Sequence, residues 1–174
     1  MRFWKIEKYF NKLKIILLIA PLTVYLGERS PIAYDEGFYI LQSKWILLKN
    51  DWISPIYWGD LILDRTIGIQ YLIALSQKIF GQNFIAIYLP NFLAGIIMLY
   101  LTSKLHEELV EKKYKFLSLF ILATTFLWIN YFHMATQDLI FASLITIGLF
   151  SIIKAYKTDK GFYLLGSGIW VGLA

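Results

Sequence analysis

The sequence lacks cysteine and contains only two histidines among its 174 residues. The absence of cysteine excludes disulfide bonds and thiolate metal sites. The chain also contains no glycine-rich phosphate loop, no nucleophile elbow and no histidine-rich metal motif, so none of these short motifs assigns a chemistry to it. Any function must therefore be inferred from the distribution of charged and apolar residues.

Charge is missing from long stretches of the chain. The runs Ile79–Ser103 and Phe116–Gln137 contain no Asp, Glu, Lys or Arg. Each run exceeds the about 20 helical residues that cross a bilayer. A third run, Leu139–Ile153, reaches that length if its helix includes Asp138 and continues past Lys154, whose aliphatic stem can snorkel. This pattern predicts a polytopic integral membrane protein.

The predicted fold is all-α: a multi-span helical bundle with amphipathic interfacial helices in the first non-cytoplasmic loop. The predicted spans lie at about 13–29, 82–104, 116–134, 137–156 and 161–174, and the loop covers about 30–80. We expect the first span to be a retained anchor, because no small-x-small cleavage site follows it. The last span is incomplete, so the chain is interpreted as an N-terminal fragment that is inactive alone.

The basic residues indicate the orientation of the bundle. Lys and Arg accumulate in cytoplasmic loops. The three basic clusters, which hold 12 of the 17 Lys and Arg residues, lie within 2–14, 104–115 and 154–160. Alternating spans place all three on one side, which is therefore predicted to be cytoplasmic. Since topology explains the net charge of +5, no nucleic-acid partner is expected.

The long loop has its own helical pattern. Apolar residues recur at helical spacing within Glu36–Asn50 and within Gly68–Phe80, and Gly81 is a plausible stop signal. Two interfacial helices are therefore predicted. The intervening segment contains Trp52 and Trp58, aromatic residues of the type that concentrates near lipid headgroups.

Three carboxylates stand at predicted membrane boundaries. Asp35 and Glu36 follow the first span, and Asp138 begins the fourth. The predicted topology places all three on the same non-cytoplasmic face. An ionisable residue at such a boundary is a functional candidate, because it costs free energy unless it is solvated or paired. The alternative is that Asp138 only complements a helix dipole and that Asp35 is a solvated loop residue.

Other polar residues give weaker indications. Arg65 carries a guanidinium fork that suits phosphate, but it could instead pair with Asp64 or contact lipid headgroups. His133 is more readily interpreted as a polar interface residue than as a metal ligand. Asp51, Asp60 and Asp64 are interpreted as solvated or turn-forming residues, with a membrane-proximal metal site that recruits one of them as the alternative.

Short motifs along the whole chain resemble a known family. Asp35-Glu36-Gly37-Phe38-Tyr39 is followed by Asn50-Asp51-Trp52-Ile53-Ser54-Pro55, then by Arg65 and a Tyr71–Gly81 helix that ends in Phe-Gly. Their order is similar to that of the GT-C class of polyprenyl-phosphate-dependent glycosyltransferases, in the family of protein O-mannosyltransferases and lipid A aminoarabinose transferases. Many members have Lys-Pro-Pro where this chain has Arg65-Thr66-Ile67.

The resemblance implies a reaction and a set of roles. A sugar on a polyprenyl phosphate is transferred with inversion to a hydroxyl group of a lipid, glycan or protein acceptor. It implies that Asp35 is the base, with Glu36 and Asp138 as further catalytic candidates, and that Arg65 stabilises the leaving phosphate. Asp138 would position the acceptor, support Asp35 or bind a divalent metal. The resemblance implies no particular cofactor, and a divalent metal is left open because a lipid-phosphate donor does not oblige one.

The family also implies a location, a multi-pass protein of the bacterial inner membrane whose active site faces the periplasm or exterior. The main alternative is a fragment of a transporter or channel, in which boundary carboxylates bind cations or protons. Transporters tend to place such sites near the midplane on broken helices, whereas these acids lie at the boundary beside a long loop. A third interpretation is a non-catalytic membrane scaffold, in which the acids need not converge.

Overall fold

The computed structural model describes residues 14, 16–54, 56–62, 66–110 and 114–174. The chain is helical at 16–23, and the helices that follow are α1 (Asp35–Lys49), α2 (Gly68–Phe80), α3 (Phe84–Leu109), α4 (Lys115–Thr124), α5 (Phe126–Phe132), α6 (Gln137–Thr158) and α7 (Phe162–Gly172). Two short strands, β1 (Ile56–Tyr57) and β2 (Asp60–Leu61), form an antiparallel hairpin between α1 and α2. The predicted helical membrane fold is confirmed.

The two predicted loop helices are present with nearly the predicted limits. Helix α1 ends at Asn50, which adopts the left-handed conformation, and α2 ends at Gly81 with a φ of 88°. Glycine reaches positive φ at no steric cost, so Gly81 stops α2 as its sequence position predicts. Asp51 accepts the backbone N–H groups of Ile53 and Ser54, so the prediction of a turn-forming Asp51 is also correct.

Helices α3 and α6 are each long and apolar enough to cross a membrane. They overlap the predicted spans at 82–104 and 137–156, whose limits in the bilayer stay predictions. The two helices run parallel, because their N-terminal halves meet at one end and their C-terminal halves at the other. Asn91 of α3 bonds to Thr136, which precedes α6, and Lys154 of α6 pairs with Glu108 near the end of α3. Helix α7 is shorter and packs against α6.

The segment predicted as one span at 116–134 is divided. Helices α4 and α5 meet at Thr125 with a bend of 71°, and Thr125 itself has an extended backbone. The hydroxyl groups of Thr124 and Thr125 donate to carbonyl groups three or four residues earlier. Such bonds are associated with bent helices, and two adjacent threonines bond in this way where α4 ends.

Close packing joins α5 to α3. Phe132 is completely buried, and a Cβ added at Gly95 would lie only 2.3 Å from its ring. The ring also packs edge-on against Phe92, with centroids 5.3 Å apart. Gly95 thus lets Phe132 approach the α3 backbone, and this contact fixes the chain just before the turn that leads into α6.

Ion pairs join α3 to α4 and to α6 near the C-terminal end of α3. Glu107 pairs with Lys104 and Lys115, at 2.9 and 2.7 Å. Glu108 pairs with Lys154, and with Lys157 at 3.1 Å. Basic residues that follow α3 and those that end α6 therefore gather at one end of the bundle. We call this group of six charged residues the basic end.

Candidate functional site

A buried carboxylate organises the opposite end of the bundle. Glu36, in the first turn of α1, is 0% exposed. Its Oε1 accepts a hydrogen bond from the Arg29 guanidinium at 2.8 Å and one from the Ala135 backbone N–H at 2.7 Å. Its Oε2 accepts from the Ile32 backbone N–H at 2.6 Å. Glu36 thus joins the segment before α1 to the loop before α6, which lies 99 residues away in sequence.

Arg29 strengthens the same connection. Besides pairing with Glu36, its guanidinium donates to the His133 carbonyl oxygen at 2.9 Å and lies over the Tyr88 ring, 5.6 Å from the centroid. The Arg29 side chain is one-third exposed, whereas Glu36 is fully buried. Hydrogen bonds that involve a charged partner are stronger than neutral ones. Arg29 and Glu36, together with their bonds to Ile32, His133 and Ala135, are called the clamp below.

The loop that connects α5 to α6 is also held from α3. Asn91, fully buried, donates from Nδ2 to the Thr136 carbonyl oxygen at 2.9 Å. The His133 ring bonds through Nδ1 to the Ile129 carbonyl oxygen at 2.9 Å. The loop at 133–136 is therefore fixed on two sides before the chain enters α6.

Asp35 and Asp138 line one cavity of about 250 Å³. Asp35 is the first residue of α1, and Asp138 lies in the first turn of α6, so the cavity lies where two helices begin. Both residues are exposed, and Tyr39 and Tyr131 share the wall with them. The structure thus brings together two of the three predicted carboxylates at this cavity, and it buries Glu36 in the clamp beside it.

An apolar groove continues from this cavity. It has a volume of about 680 Å³ and is lined mainly by apolar side chains of α2 and α6, among them Ile69, Leu72 and Phe141. Asp138 and Gln137 belong to the walls of both the cavity and the groove. A ligand with a polar head and a hydrocarbon tail could therefore place its head beside the carboxylates and its tail along the groove.

The remaining candidates from the sequence are Arg65, Asp64 and Asp60. Arg65, the predicted phosphate-binding residue, and Asp64 lie outside the described residues. Asp60 is exposed in β2. Among the residues that the structure describes, no group of three or more His, Cys, Asp or Glu side chains could hold a metal ion.

Neither Arg29 nor Asn91 was predicted from the sequence to be a functional residue. Arg29 lies one residue after Glu28 at the end of the first predicted span, where a basic residue suits a membrane boundary. Asn91 lies inside an otherwise apolar run, and a polar side chain at that depth was a signal that could have been used. Arg29 also pairs with Glu36 seven residues later, but the backbone partners of Arg29 and Asn91 lie about 100 and 45 residues away and leave no pattern in the sequence.

Comparisons with known proteins agree with the fold. A crystal structure of ArnT from Cupriavidus metallidurans in the apo state superposes with a TM-score of 0.82 at 17% identity, covering 95% of this chain and 31% of that one. An uncharacterized protein of Aquifex aeolicus is 26% identical over 85% of this chain and 30% of its own length. The undecaprenyl phosphate-alpha-4-amino-4-deoxy-L-arabinose arabinosyl transferase of Pseudomonas paraeruginosa is 29% identical over 40% of this chain and 13% of its own length.

The chain therefore spans no more than about a third of the length of these relatives. The family described as dolichyl-phosphate-mannose-protein mannosyltransferase matches residues 64–174, which is more than half of the chain. The apolar helices and the fold of this chain are those of an integral membrane protein. The chain belongs to the dolichyl-phosphate-mannose-protein mannosyltransferase family.

Proposed function

We propose that this chain forms the catalytic end of a membrane glycosyltransferase. The donor is a sugar on a polyprenyl phosphate, and the acceptor is a hydroxyl group of a lipid, a glycan or a protein. The single observation that carries the proposal is the cavity shared by Asp35 and Asp138, which opens into the apolar groove between α2 and α6. The groove suits the polyprenyl chain, and the cavity suits the reacting groups.

Asp35 is the general base in this proposal. It takes the proton of the acceptor hydroxyl while the oxygen attacks the anomeric carbon with inversion, and the bond from that carbon to the phosphate oxygen breaks. A base must reach the proton that it removes. Asp35 is exposed in the cavity, and among the described residues no hydrogen bond or ion pair occupies its carboxylate. Asp138 positions the acceptor on the opposite wall, and a divalent metal is left open there.

Arg65 is assigned to the leaving phosphate. Its neighbour Thr66 lines the apolar groove together with Gly68, so the chain at this point runs along the path proposed for the lipid. A preorganised cation stabilises the charge that grows on the phosphate as the glycosidic bond breaks. Arg65→Ala should weaken donor binding and turnover together, and Arg65→Lys should recover part of the loss because it keeps the charge without the fork.

The reaction side is proposed to be the periplasm or exterior of a bacterial inner membrane. Lys and Arg mark cytoplasmic segments, and the basic end, which includes Lys104 and Lys154, lies at the opposite end of α3 and α6 from the cavity. Single-cysteine labelling can test this, since the sequence has no cysteine background. Labelling of a cysteine at position 60 only from the cytoplasmic side would contradict the orientation.

The decisive experiment is Asp35→Asn in the full-length enzyme. This change keeps the size of the side chain and removes the base, so turnover should fall on the order of 10²–10⁴-fold. Binding of the polyprenyl-phosphate sugar should be largely kept. The matched control is Asp60→Asn in the exposed hairpin, which should keep near-normal turnover. If correctly inserted Asp35→Asn keeps near-normal transfer, the base is another residue.

A further inference from the structure

Adjacent carboxylates at the start of α1 have opposite environments. Asp35 is exposed at the cavity, whereas Glu36 is fully buried and is absent from the cavity wall. Both oxygens of Glu36 already accept hydrogen bonds, from Arg29, Ala135 and Ile32. Because Glu36 is fully buried and does not line the cavity, an acceptor held there does not meet its oxygens, so its position argues for a role different from that of Asp35.

The clamp connects the two walls of the cavity. Glu36 directly follows Asp35, and its partner Ala135 lies three residues before Asp138. Arg29 holds the same loop at His133, two residues earlier, through its carbonyl oxygen. The segments that carry the two exposed carboxylates are thus joined by the ion pair between the buried Glu36 and the partly exposed Arg29, and by the backbone groups bonded to it.

We propose that Glu36 is a positioning residue that, paired with Arg29, sets the separation of Asp35 and Asp138 across the cavity. The inference rests on the proposed function for its effect on turnover, but its geometric part stands without it. Misplacement of a reacting group by about 1 Å can cost about 10²-fold in rate. A change at Glu36 should therefore act through the geometry of the cavity and leave donor binding, which involves the groove, largely intact.

Arg29 and Glu36 should behave as one unit. Removal of Arg29 alone leaves a buried carboxylate without its cation, and an uncompensated buried charge is strongly destabilising. Removal of both charges leaves no uncompensated buried charge. Arg29→Gln alone should therefore impair the protein more than the double variant Arg29→Gln/Glu36→Gln, a non-additive result that is expected for residues in contact or in one hydrogen-bond network.

The first test measures spacing without using activity. Cysteines replace Tyr34 and Gln137, exposed residues that directly precede Asp35 and Asp138, and each carries a nitroxide spin label in the full-length protein. With Glu36 present, we expect one narrow distribution of spin–spin distances. Glu36→Gln should broaden or shift the distribution, because an amide cannot accept from all three of the N–H donors that the carboxylate accepts.

The control for this test is Glu28→Gln. Glu28 is exposed, stands next to Arg29, and among the described residues makes no side-chain hydrogen bond or ion pair. Its substitution removes the same charge and should leave the distance distribution unchanged. An unchanged distribution in Glu36→Gln, or an equal change in Glu28→Gln, would overturn the proposal whether or not the chain is a glycosyltransferase.

The second test measures steady-state kinetics of sugar transfer. Glu36→Gln should lower kcat by about 10²-fold with little change in the KM for the polyprenyl-phosphate sugar, and Glu36→Asp should recover part of kcat because it keeps the charge. The double variant Arg29→Gln/Glu36→Gln should have a higher kcat than Arg29→Gln alone. A double variant that is no better than Arg29→Gln would contradict a positioning pair. Should Glu36→Gln not accumulate in the membrane, Glu36→Asp decides both tests by its distance distribution and its kcat.

Discussion

At the cavity end, Glu36 is fully buried and bonds to Arg29 and to two backbone N–H groups. At the basic end, the described partners of the Glu107 and Glu108 carboxylates are lysine ammonium groups that remain partly exposed. Carboxylates thus join separate segments of the chain at both ends. The cavity end joins loops through fixed backbone donors, and the basic end joins helix termini through flexible side chains.

This difference indicates where geometry matters. Exposed ion pairs contribute little to stability, because solvent screens them and long side chains lose entropy when they pair. A buried carboxylate that also accepts hydrogen bonds from backbone N–H groups holds one arrangement. Loss of either the carboxylate or its cation is costly. We therefore expect substitutions at the cavity end to change turnover or stability strongly, and similar substitutions at the basic end to be tolerated.

The largest contrast is expected between the two ends of α6. Asp138→Asn at its start should lower turnover by about 10²-fold, because the acceptor loses its positioning group. Asp159→Asn at its end should have no effect, since Asp159 adopts the left-handed conformation, with a φ of 52°, which asparagine also tolerates. Transfer assays on both full-length variants check this. Equal losses in the two variants would show that the cavity end is not special.

A smaller effect is expected where α5 packs on α3. In Gly95→Ala the new Cβ meets the Phe132 ring at 2.3 Å, and overpacking of this kind costs about 1–3 kcal/mol. The free energy of unfolding in detergent should fall accordingly. Gly166→Ala is the control, because no atom lies within 4 Å of its added Cβ and alanine favours the helix. If Gly95→Ala is as stable as the control, Phe132 does not need this close contact.

The smallest effect is expected at the basic end. Glu107→Gln breaks the pairs with Lys104 and Lys115, yet turnover should stay within about twofold of the wild type, because the pairs lie at the opposite end of the bundle from the cavity and solvent screens the partly exposed lysines. The measurement is kcat of the full-length variant beside that of Glu36→Gln. A loss at Glu107 as large as the loss at Glu36 would remove the contrast between the two ends.

Local pattern was sufficient for much of the fold. The limits of α1 and α2 follow from helical spacing and from Gly81. The helices α3 and α6 follow from long uncharged runs whose length matches the thickness of a bilayer. The convergence of Asp35 and Asp138 was predicted from topology, because two predicted spans, an even number, lie between them. These features depend on residues that are near in sequence or on the alternation of spans.

The break at Thr125 and the clamp were decided only by the tertiary structure. The run at 116–134 is uniformly apolar, so hydropathy predicts one helix and does not detect the bend. Composition and spacing by themselves determined a helical membrane protein, and they predicted that Asp35 and Asp138 lie close together. They could not distinguish the roles of Asp35 and Glu36, because the partners of Glu36 include a backbone N–H 99 residues away, and a backbone donor is the same at every non-proline residue.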